Sequence, residues 1–367
     1  MYDIGRSKRA TQAYEFDQIA IVPSRRTRGS DEVNLAWRID AITLEFPMMA
    51  APMDSVMSPA TAIEMGRLGG LGVLNLEGLW TRYDDPEPLF DELALISDEV
   101  TATKRMQQIY AESIKPELIR DRMAQIRDAG VPVAGALSPR NTQEFSDVVV
   151  KAAPDFFVIR GTTVSAEHVS STGESLDLKK FIRTLDVPVI VGGCANYQTA
   201  LHLMRTGAAG VLVGFGGGAT HATRNVLGIE VPMASAVADV AEARRDYLDE
   251  SGGRYVHVIA DGQVGRSGDI AKAIACGADA VMVGAPLARA EEAPGKGYHW
   301  GAEAWHSTLP RGERAKFDTV GTLEQILVGP SVTPDGTMNL VGALRRAMAS
   351  TGYTDVKEFQ RIELVIV

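Results

Sequence analysis

The sequence contains little of what an extracellular or membrane protein needs. Only two cysteines, Cys194 and Cys276, occur among 367 residues, too few for a disulfide framework or a cysteine-rich zinc site. No stretch of about 18 uninterrupted apolar residues is present to span a bilayer, and the N-terminal MYDIGRSKRATQAYEFD lacks the apolar centre of a signal peptide. These absences predict a cytoplasmic protein without a membrane segment or a bound metal.

Positive charge is also scarce. The chain has 37 Lys and Arg residues against 47 Asp and Glu residues, a formal net charge of -10, which opposes attraction to nucleic-acid phosphates. The densest basic runs, PSRRTR and ALRRAM, are short and typical of solvated surfaces. We therefore expect no nucleic-acid partner. Hydrophobic residues at 45% and charged residues at 23% instead indicate a folded protein with a large core.

Short apolar runs alternate with longer segments of helical periodicity, the pattern of a parallel sheet built from βα units. In ALHLMRTGAAGVLVG and IAKAIACGADAVMVG, an apolar helix face leads to a glycine at C′ and then to a buried strand. Eight candidate strands predict an α/β fold, a single TIM (β/α)8 barrel over residues 1–367, with an open doubly wound sheet as the alternative. These strands are 46–52, 70–75, 131–137, 156–161, 187–193, 209–215, 255–262 and 279–285.

Two segments are longer than barrel connections require. Residues 75–130 are acidic and exceed a normal crossover between the second and third strands, yet they are too short for a conventional inserted domain. We expect an irregular or helical crossover there. Residues 290–338 are rich in glycine, proline and charge, which is typical of an active-site flap or an inter-subunit arm.

Several ordered motifs carry a family resemblance. APMDSV, GGLGVLN, GVLVGFGGGATHATR, VIADGQVGRSGDIAKAIACGADAVMVGAPLA and EAPGKG occur in this order, followed by LVGALRRAMASTGYTDVKEFQ. The sequence resembles the IMP dehydrogenase and GMP reductase family. The resemblance implies a TIM barrel that binds a purine nucleoside monophosphate and NAD or NADP, allows a monovalent cation, and favours a homotetramer or homo-octamer. Residues 75–130 cannot hold the paired CBS modules of many dehydrogenases, so the chain is similar to the CBS-less branch.

Three functions follow from this resemblance. The first is oxidation of IMP to XMP with NAD, a step of GMP biosynthesis. The second is reduction of GMP to IMP with NADPH. The third is a catalytically inactive homologue that binds a nucleotide, another metabolite or a partner protein.

The catalytic residues implied by the resemblance depart from the family pattern. Relatives present a nucleophilic cysteine in the loop after the sixth strand, where this chain has His221. An imidazole can act as a general base near neutral pH, or it can be a solvated loop histidine. Thr223 matches a threonine of the same turn. Cys194, at the end of the fifth strand where relatives have asparagine, is either a relocated nucleophile or a packed residue.

The ribose and base sites are partly retained. Asp261 matches the family aspartate that accepts both ribose hydroxyls, since two carboxylate oxygens can receive a vicinal diol. Gly262 follows it, whereas Gln263 stands where a second glycine admits the phosphate. Met53 and Asp54 match the motif at the pocket floor, where a methionine packs well under a flat base.

The remaining assigned residues concern phosphate, cofactor and water. Gly218 and Gly284 leave backbone N–H groups open to a phosphate, whereas Ala219 and Ala285 replace the family's phosphate-binding serines. Arg160 replaces an aspartate near the cofactor; it binds an acidic ligand group or forms an ion pair across the barrel mouth. Relatives also use a flap arginine to activate water, and the candidates are Arg311 and Arg314, which are otherwise surface charges.

Overall fold

The fold is a closed barrel of eight parallel strands whose neighbours follow chain order. The computed structural model describes residues 2–161, 164, 176–215, 223–308 and 314–367. The predicted TIM barrel is therefore confirmed, and the open sheet is excluded. Its strands are β1 (Met48–Ala50), β2 (Leu71–Asn75), β3 (Ala134–Leu137), β4 (Phe156–Arg160), β5 (Val189–Cys194), β6 (Gly210–Val213), β7 (His257–Asp261) and β8 (Ala280–Val283).

Strand alternation separates two cores. In β4, Phe156 and Val158 belong to the cluster inside the barrel, whereas Phe157 and Ile159 pack outward with the helices. This division follows from the two-residue period of a strand, which sends successive side chains to opposite faces. The barrel is thus filled with side chains below its mouth and has no central pore.

The helices surround the barrel, and local signals explain where they start and end. Ser58 caps α1, with its hydroxyl accepting the Thr61 N–H and Pro59 in the first turn. Gly207 and Gly277 follow α7 and α9 at φ +105° and +114°, as the repeated αβ unit predicts. The helices are α1 (Pro59–Arg67), α2 (Glu87–Leu95), α3 (Glu99–Ile109), α4 (Pro116–Asp128), α5 (Pro139–Lys151), α6 (Leu178–Ile182), α7 (Tyr197–Arg205), α8 (Met233–Glu250), α9 (Ser267–Ala275), α10 (Leu323–Leu327), α11 (Leu340–Ser350) and α12 (Val356–Phe359).

Short pairs of antiparallel strands lie outside the eight-stranded barrel. The pair Trp37–Ile39 and Ile42–Leu44 closes the N-terminal end, where Trp37, Ile39 and Leu44 join the inner core. We call it the bottom hairpin. The other pairs are Tyr2–Gly5 with Lys8–Ala10, Ile19–Ile21 with Leu364–Ile366, and Tyr298–His299 with Ala315–Lys316.

The long connection between β2 and β3 is helical. It contains α2 and α3 before α4, and α4 packs against α1 and α5 as the crossover helix of the ring. The segment after β8 leaves the ring and returns through α10 and α11, and α11 packs beside α9. Helices α2 and α3 are therefore additions to the barrel, and they lie next to the segment that follows β8.

Candidate functional site

A cavity of about 1170 Å³ opens at the carboxyl ends of the barrel strands. Its walls come from the loops after β1, β2, β3, β4, β6, β7 and β8, from the N-terminal segment around Glu15, and from the segment after β8. Barrel enzymes bind their ligands at this end. The described predicted residues that line the cavity are Met53, Asp54, Arg160, Asp261, Gly262, Gly284 and Ala285.

An ion pair crosses the cavity mouth. Arg160 at the end of β4 places Nε 2.9 Å from Asp261 Oδ2 and Nη2 3.5 Å from Oδ1, at the end of β7. Two strands lie between β4 and β7 on one path around the barrel and four on the other. The Asp261 side chain is 6% exposed and that of Arg160 is 25% exposed. Of the two interpretations of Arg160, the structure supports the ion pair. The two Asp261 oxygens that we expected to accept a ribose diol both face the guanidinium of Arg160.

Asp54 lines the floor of the cavity and accepts three hydrogen bonds from the protein itself. Its carboxylate accepts from Tyr110 Oη at 2.7 Å, from the Leu79 N–H at 2.9 Å and from Asn75 Nδ2 at 3.3 Å. Burial raises its pKa, and the bonds from Tyr110 and Leu79 act in the opposite direction. Asp54 therefore fixes the loops after β1 and β2 around the floor.

Of the two interpretations of Cys194, a relocated nucleophile or a packed residue, its position supports the packed residue. The side chain is 1% exposed and packs in the outer core, and its Sγ donates to the Leu212 carbonyl at 3.4 Å. Burial raises the pKa of the Cys194 thiol to about 12, so it stays protonated near neutral pH. A protonated thiol facing away from the cavity is unsuited to nucleophilic attack.

The loop after β6 is described only in part. His221, Gly218 and Ala219 lie outside the described residues. Thr223 begins the described continuation, a single π-helical turn at Thr223–Leu227, and its side chain is fully buried. No described residue forms a hydrogen bond with Thr223 Oγ1. Among the described residues, Thr223 is not part of the cavity wall, and its predicted catalytic role remains a prediction.

Glycine at position 284 is not required by packing. A Cβ built on Gly284 would lie 3.4 Å from Ala51 Cβ and 3.4 Å from Met53 Sδ, which are ordinary van der Waals distances. The Gly284 and Ala285 positions thus lie beside Met53 on one wall of the cavity. Their predicted role in phosphate binding remains a prediction.

Aromatic residues that the sequence did not single out form another wall. Tyr110 at the end of α3 stacks on Trp305, with ring centroids 4.3 Å apart and planes inclined by 3°. Trp300 Nε1 donates to Tyr110 Oη at 3.0 Å, and Tyr110 donates onward to Asp54. All four residues line the cavity. The chain of hydrogen bonds joins the segment after β8 to the added helices and the cavity floor.

Arg314 is a buried residue that holds the segment after β8 against α2. Its interpretation as a surface charge or a water-activating residue is therefore wrong. Its side chain is 0% exposed. The guanidinium donates to the carbonyls of Leu93 and Ile96 at the end of α2 and to Glu99 at 2.9 Å. The cation thereby satisfies carbonyls at a helix C-terminus, where positive charge is favourable. Arg311 lies outside the described residues.

A second polar cluster lines the cavity beside β7. Gln263 adopts a left-handed backbone with φ of +53°, and its Nε2 donates to Glu15 Oε1 at 3.1 Å and to Glu230 Oε1 at 3.2 Å. Glu15 Oε2 accepts the Met233 N–H at 3.0 Å, and Arg224 Nε lies 3.0 Å from Glu230 Oε2. We call Glu15, Gln263 and Glu230 the acidic corner.

Two searches of the described residues bear on other kinds of site. No helix in that part of the chain combines the length and the apolar character needed to cross a bilayer. No set of three or more His, Cys, Asp or Glu side chains is gathered there in a way that could hold a metal ion.

A (β/α)8 barrel with a ligand-sized cavity at the strand carboxyl ends places the protein in a fold class whose enzymes bind their ligands at this end. Comparison with known proteins identifies the group within this class. The family model for the IMP dehydrogenase / GMP reductase domain matches residues 13–312. The chain belongs to this family.

Its relatives include proteins that the chain matches over their full length. The uncharacterized oxidoreductases of Mycolicibacterium smegmatis and Mycobacterium leprae are each 52% identical, with full coverage of both chains. Inosine-5'-monophosphate dehydrogenase of Thermoplasma acidophilum is 27% identical over 78% of this chain and 74% of its own. An IMP dehydrogenase/GMP reductase-like protein from Corynebacterium glutamicum has the same fold, with a TM-score of 0.95, 50% identity and coverage of 100% of this chain and 97% of its own.

Proposed function

We propose that this oxidoreductase-family protein uses a nicotinamide cofactor to act on a purine nucleoside monophosphate. The reaction we expect is that of IMP dehydrogenase, IMP to XMP with NAD. The observation that carries the proposal is the cavity of about 1170 Å³ at the strand carboxyl ends of a family barrel. Single small-molecule pockets usually measure about 300–1,000 Å³, so this cavity has room for substrate and cofactor together.

The residues around the cavity fit a flat, aromatic cofactor. Trp305, Phe215 and Phe317 line it, and aromatic faces favour offset or edge contacts with another ring. NAD or NADP, when bound, supplies a hydride acceptor at the nicotinamide ring. Stacking of Trp305 on Tyr110 would hold this wall in one orientation, and the surrounding apolar surface would exclude water from the ring.

In this proposal the purine lies over Met53 and the ribose lies beside Asp261. The sulfur of Met53 gives a polarisable surface under a flat base. Asp261 offers two acceptor oxygens for the ribose hydroxyls, provided that Arg160 releases them.

A second candidate is a protein that binds the purine ligand without redox turnover. Two observations favour it. Arg160 occupies both oxygens of Asp261, and Cys194 is buried with its thiol protonated. Without an available thiolate, the site lacks the nucleophile that would form a covalent intermediate with the purine.

One set of assays separates these candidates. Purified protein is incubated with IMP and NAD, or with GMP and NADPH, and the absorbance of the reduced cofactor is followed. A signal above that of a heat-inactivated sample supports turnover and gives its direction. Saturable binding of a purine ligand in calorimetry without such a signal supports the binding protein. Absence of both would overturn the proposal.

A further inference from the structure

His299 lines the cavity, and the proposed function assigns it no role. It belongs to the short strand Tyr298–His299, which pairs with Ala315–Lys316 in the segment after β8. Its ring faces Phe317, with the ring centroids 5.6 Å apart and the planes inclined by 25°. Only 2% of the residue is exposed, yet it forms part of the cavity wall. The part of His299 that remains accessible therefore faces the cavity.

Ser55 fixes the orientation of this ring. Its hydroxyl oxygen lies 3.0 Å from His299 Nδ1, donates to the Trp300 carbonyl at 3.1 Å and accepts the Trp300 N–H at 3.1 Å. Ser55 itself is fully buried in the loop after β1. Three hydrogen bonds at one oxygen thus hold the segment after β8 against this loop and keep Nδ1 turned toward Ser55.

The same contacts determine which nitrogen of His299 carries the ring proton. A hydroxyl has one proton to donate, and Ser55 directs it to the Trp300 carbonyl, so His299 Nδ1 must be the donor to Ser55. Burial lowers the pKa of His299 to about 4, so the imidazole is neutral near pH 7 and Nε2 carries a lone pair. No described residue forms a hydrogen bond with Nε2. Since buried polar atoms are normally paired, we expect a molecule in the cavity to satisfy this acceptor.

The space at this edge of the ring is open because residue 284 is glycine. A Cβ built on Gly284 would lie 3.7 Å from His299 Cε1, the atom bonded to Nε2, and 3.4 Å from both Met53 Sδ and Ala51 Cβ. These are ordinary contact distances, so the four residues surround room for a methyl-sized group. We call this space the Gly284 notch. A ligand group at the notch would contact the sulfur of Met53 and the ring edge of His299 together.

We infer that His299 binds the purine ligand directly, with Nε2 accepting a hydrogen bond from an uncharged N–H or O–H group that lies over Met53. This inference rests on the proposed purine function and adds a ligand-binding residue to it. The base and ribose of IMP and GMP offer such donors, whereas a phosphate dianion has no proton to give. His299 is therefore a specificity-determining residue for the base and ribose of the ligand, and the phosphate binds elsewhere.

His299→Phe tests the inference, because it removes both ring nitrogens and keeps an aromatic ring beside Phe317. Ser55 retains its two hydrogen bonds with Trp300, so no group of this network is left unpaired. We expect the affinities for IMP and for inosine, measured by titration calorimetry, each to fall by about tenfold through loss of one buried hydrogen bond. His202→Phe, at an exposed position on α7 outside the cavity, is the matched control and should change neither affinity.

Two results of this titration would overturn the inference. If the wild-type protein binds IMP and His299→Phe binds it equally well, His299 is not a ligand contact, and the proposed function is unaffected. If the loss is confined to IMP and spares inosine, the group at His299 is the phosphate rather than an uncharged donor.

Chemical modification of the wild-type protein tests the position of Nε2 without a substitution. Diethylpyrocarbonate acylates an unprotonated imidazole nitrogen that it can reach, and mass spectrometry locates the product. We expect His299 to react, and IMP at about ten times its dissociation constant to slow the reaction by about tenfold, the factor by which free sites are then reduced.

His257 is the internal control for this modification. Burial lowers its pKa to about 4 as well, but its Nδ1 already accepts from Trp37 Nε1 at 3.1 Å, so it should not react. An unreactive His299 would contradict the inference, and so would a His299 that reacts at the same rate with IMP bound.

NAD separates a failure of this inference from a failure of the proposed function. If calorimetry detects no binding of IMP or inosine to the wild-type protein, the purine function fails. Modification with and without NAD then tests His299 by itself. A slower reaction in the presence of NAD supports His299 as a ligand contact of the cavity, and an equal rate contradicts it.

Discussion

The two ends of the barrel each hold a buried aspartate, and the comparison separates a structural charge from an available one. At the bottom, Asp279 is 1% exposed and binds Arg244 at 2.9 Å, Tyr255 at 2.8 Å, the Val258 N–H at 2.9 Å and also Lys357. Burial raises its pKa, but the cations outweigh this effect and lower the pKa to about 2. Every lone pair of this carboxylate is used.

At the mouth, Asp261 has Arg160 as its described side-chain partner and borders a cavity. A ligand can replace a single partner next to open space, because both Asp261 and the displaced Arg160 border the cavity, where the ligand and solvent can satisfy them. The difference between Asp279 and Asp261 indicates how a functional carboxylate can be recognised. Such a carboxylate has few protein partners and lies beside open space, and burial alone does not identify it. The predictions below test this distinction at both ends.

Asp279→Asn should produce the largest effect. Loss of the negative charge leaves Arg244 and Lys357 facing each other without their shared partner, and such broken buried pairs cost about 3–5 kcal/mol. Urea unfolding measures the free energy directly. Asp261→Asn is the matched variant, and we expect a much smaller loss because solvent in the cavity can reach Arg160. An equal loss in the two variants would contradict the comparison.

The two buried histidines should make the protein sensitive to acid. Burial lowers the pKa of His257 at the bottom and of His299 near the mouth to about 4 each. The unfolded chain binds these protons below about pH 6.5, whereas the folded protein does so only near pH 4, so stability falls as pH drops through this window. Across this pH window, each histidine should lower the free energy of unfolding by about 2–3 kcal/mol.

Unfolding free energies measured at pH 7, 5.5 and 4.5 test this expectation. His299→Gln should reduce the loss of stability between these pH values, whereas the exposed His202→Gln should leave it unchanged. A wild-type protein equally stable at all three values would show that the histidines do not act in this way.

Tyr110→Phe should destabilise the aromatic wall by about 1–2 kcal/mol. The change removes the acceptor of Trp300 Nε1 and a donor to Asp54, leaving a buried N–H unsatisfied. Stability is measured by urea unfolding and the local change by tryptophan fluorescence. Tyr2→Phe, in the exposed N-terminal hairpin, provides the control. Unchanged fluorescence and stability would show that the hydrogen-bond chain contributes little.

Arg160→Met should have the smallest effect on stability, a loss of about 1 kcal/mol in the free energy of unfolding. It should nevertheless change the relative affinity for ligands with and without a ribose 2′-hydroxyl. With its carboxylate released, Asp261 can accept a ribose diol, so inosine should gain about tenfold in affinity over 2′-deoxyinosine, or about 1.4 kcal/mol. Calorimetry with both nucleosides measures this ratio. Arg205→Met breaks an exposed ion pair with Glu250 and should not alter it. An unchanged ratio in Arg160→Met would place the ribose elsewhere.

The barrel was predictable because its signals are local. Strand alternation, helix periodicity and the glycines at 207 and 277 lie within short windows of sequence, and the structure confirms all of them. The loops after the strands were located for the same reason. Residues that line the mouth could therefore be assigned from the order of the strands.

The partners within the site were not predictable, because they come from distant parts of the chain. Arg160 and Asp261 are 101 positions apart, and Tyr110 and Trp300 are 190 apart. Cys194 lies at the predicted strand end, yet its side chain falls on the core side of that strand. Arg314 lies in a charged run typical of a surface, and the carbonyls that bury it belong to α2.

The bottom hairpin bears on the end of the barrel from which a molecule can reach the cavity. Trp37 joins the inner core at the N-terminal end of the barrel and donates its Nε1 to His257 Nδ1 at 3.1 Å, and the cavity lined by described residues opens at the opposite end. If substrate and cofactor share this cavity, as we propose, the deeper of the two should bind first and leave last.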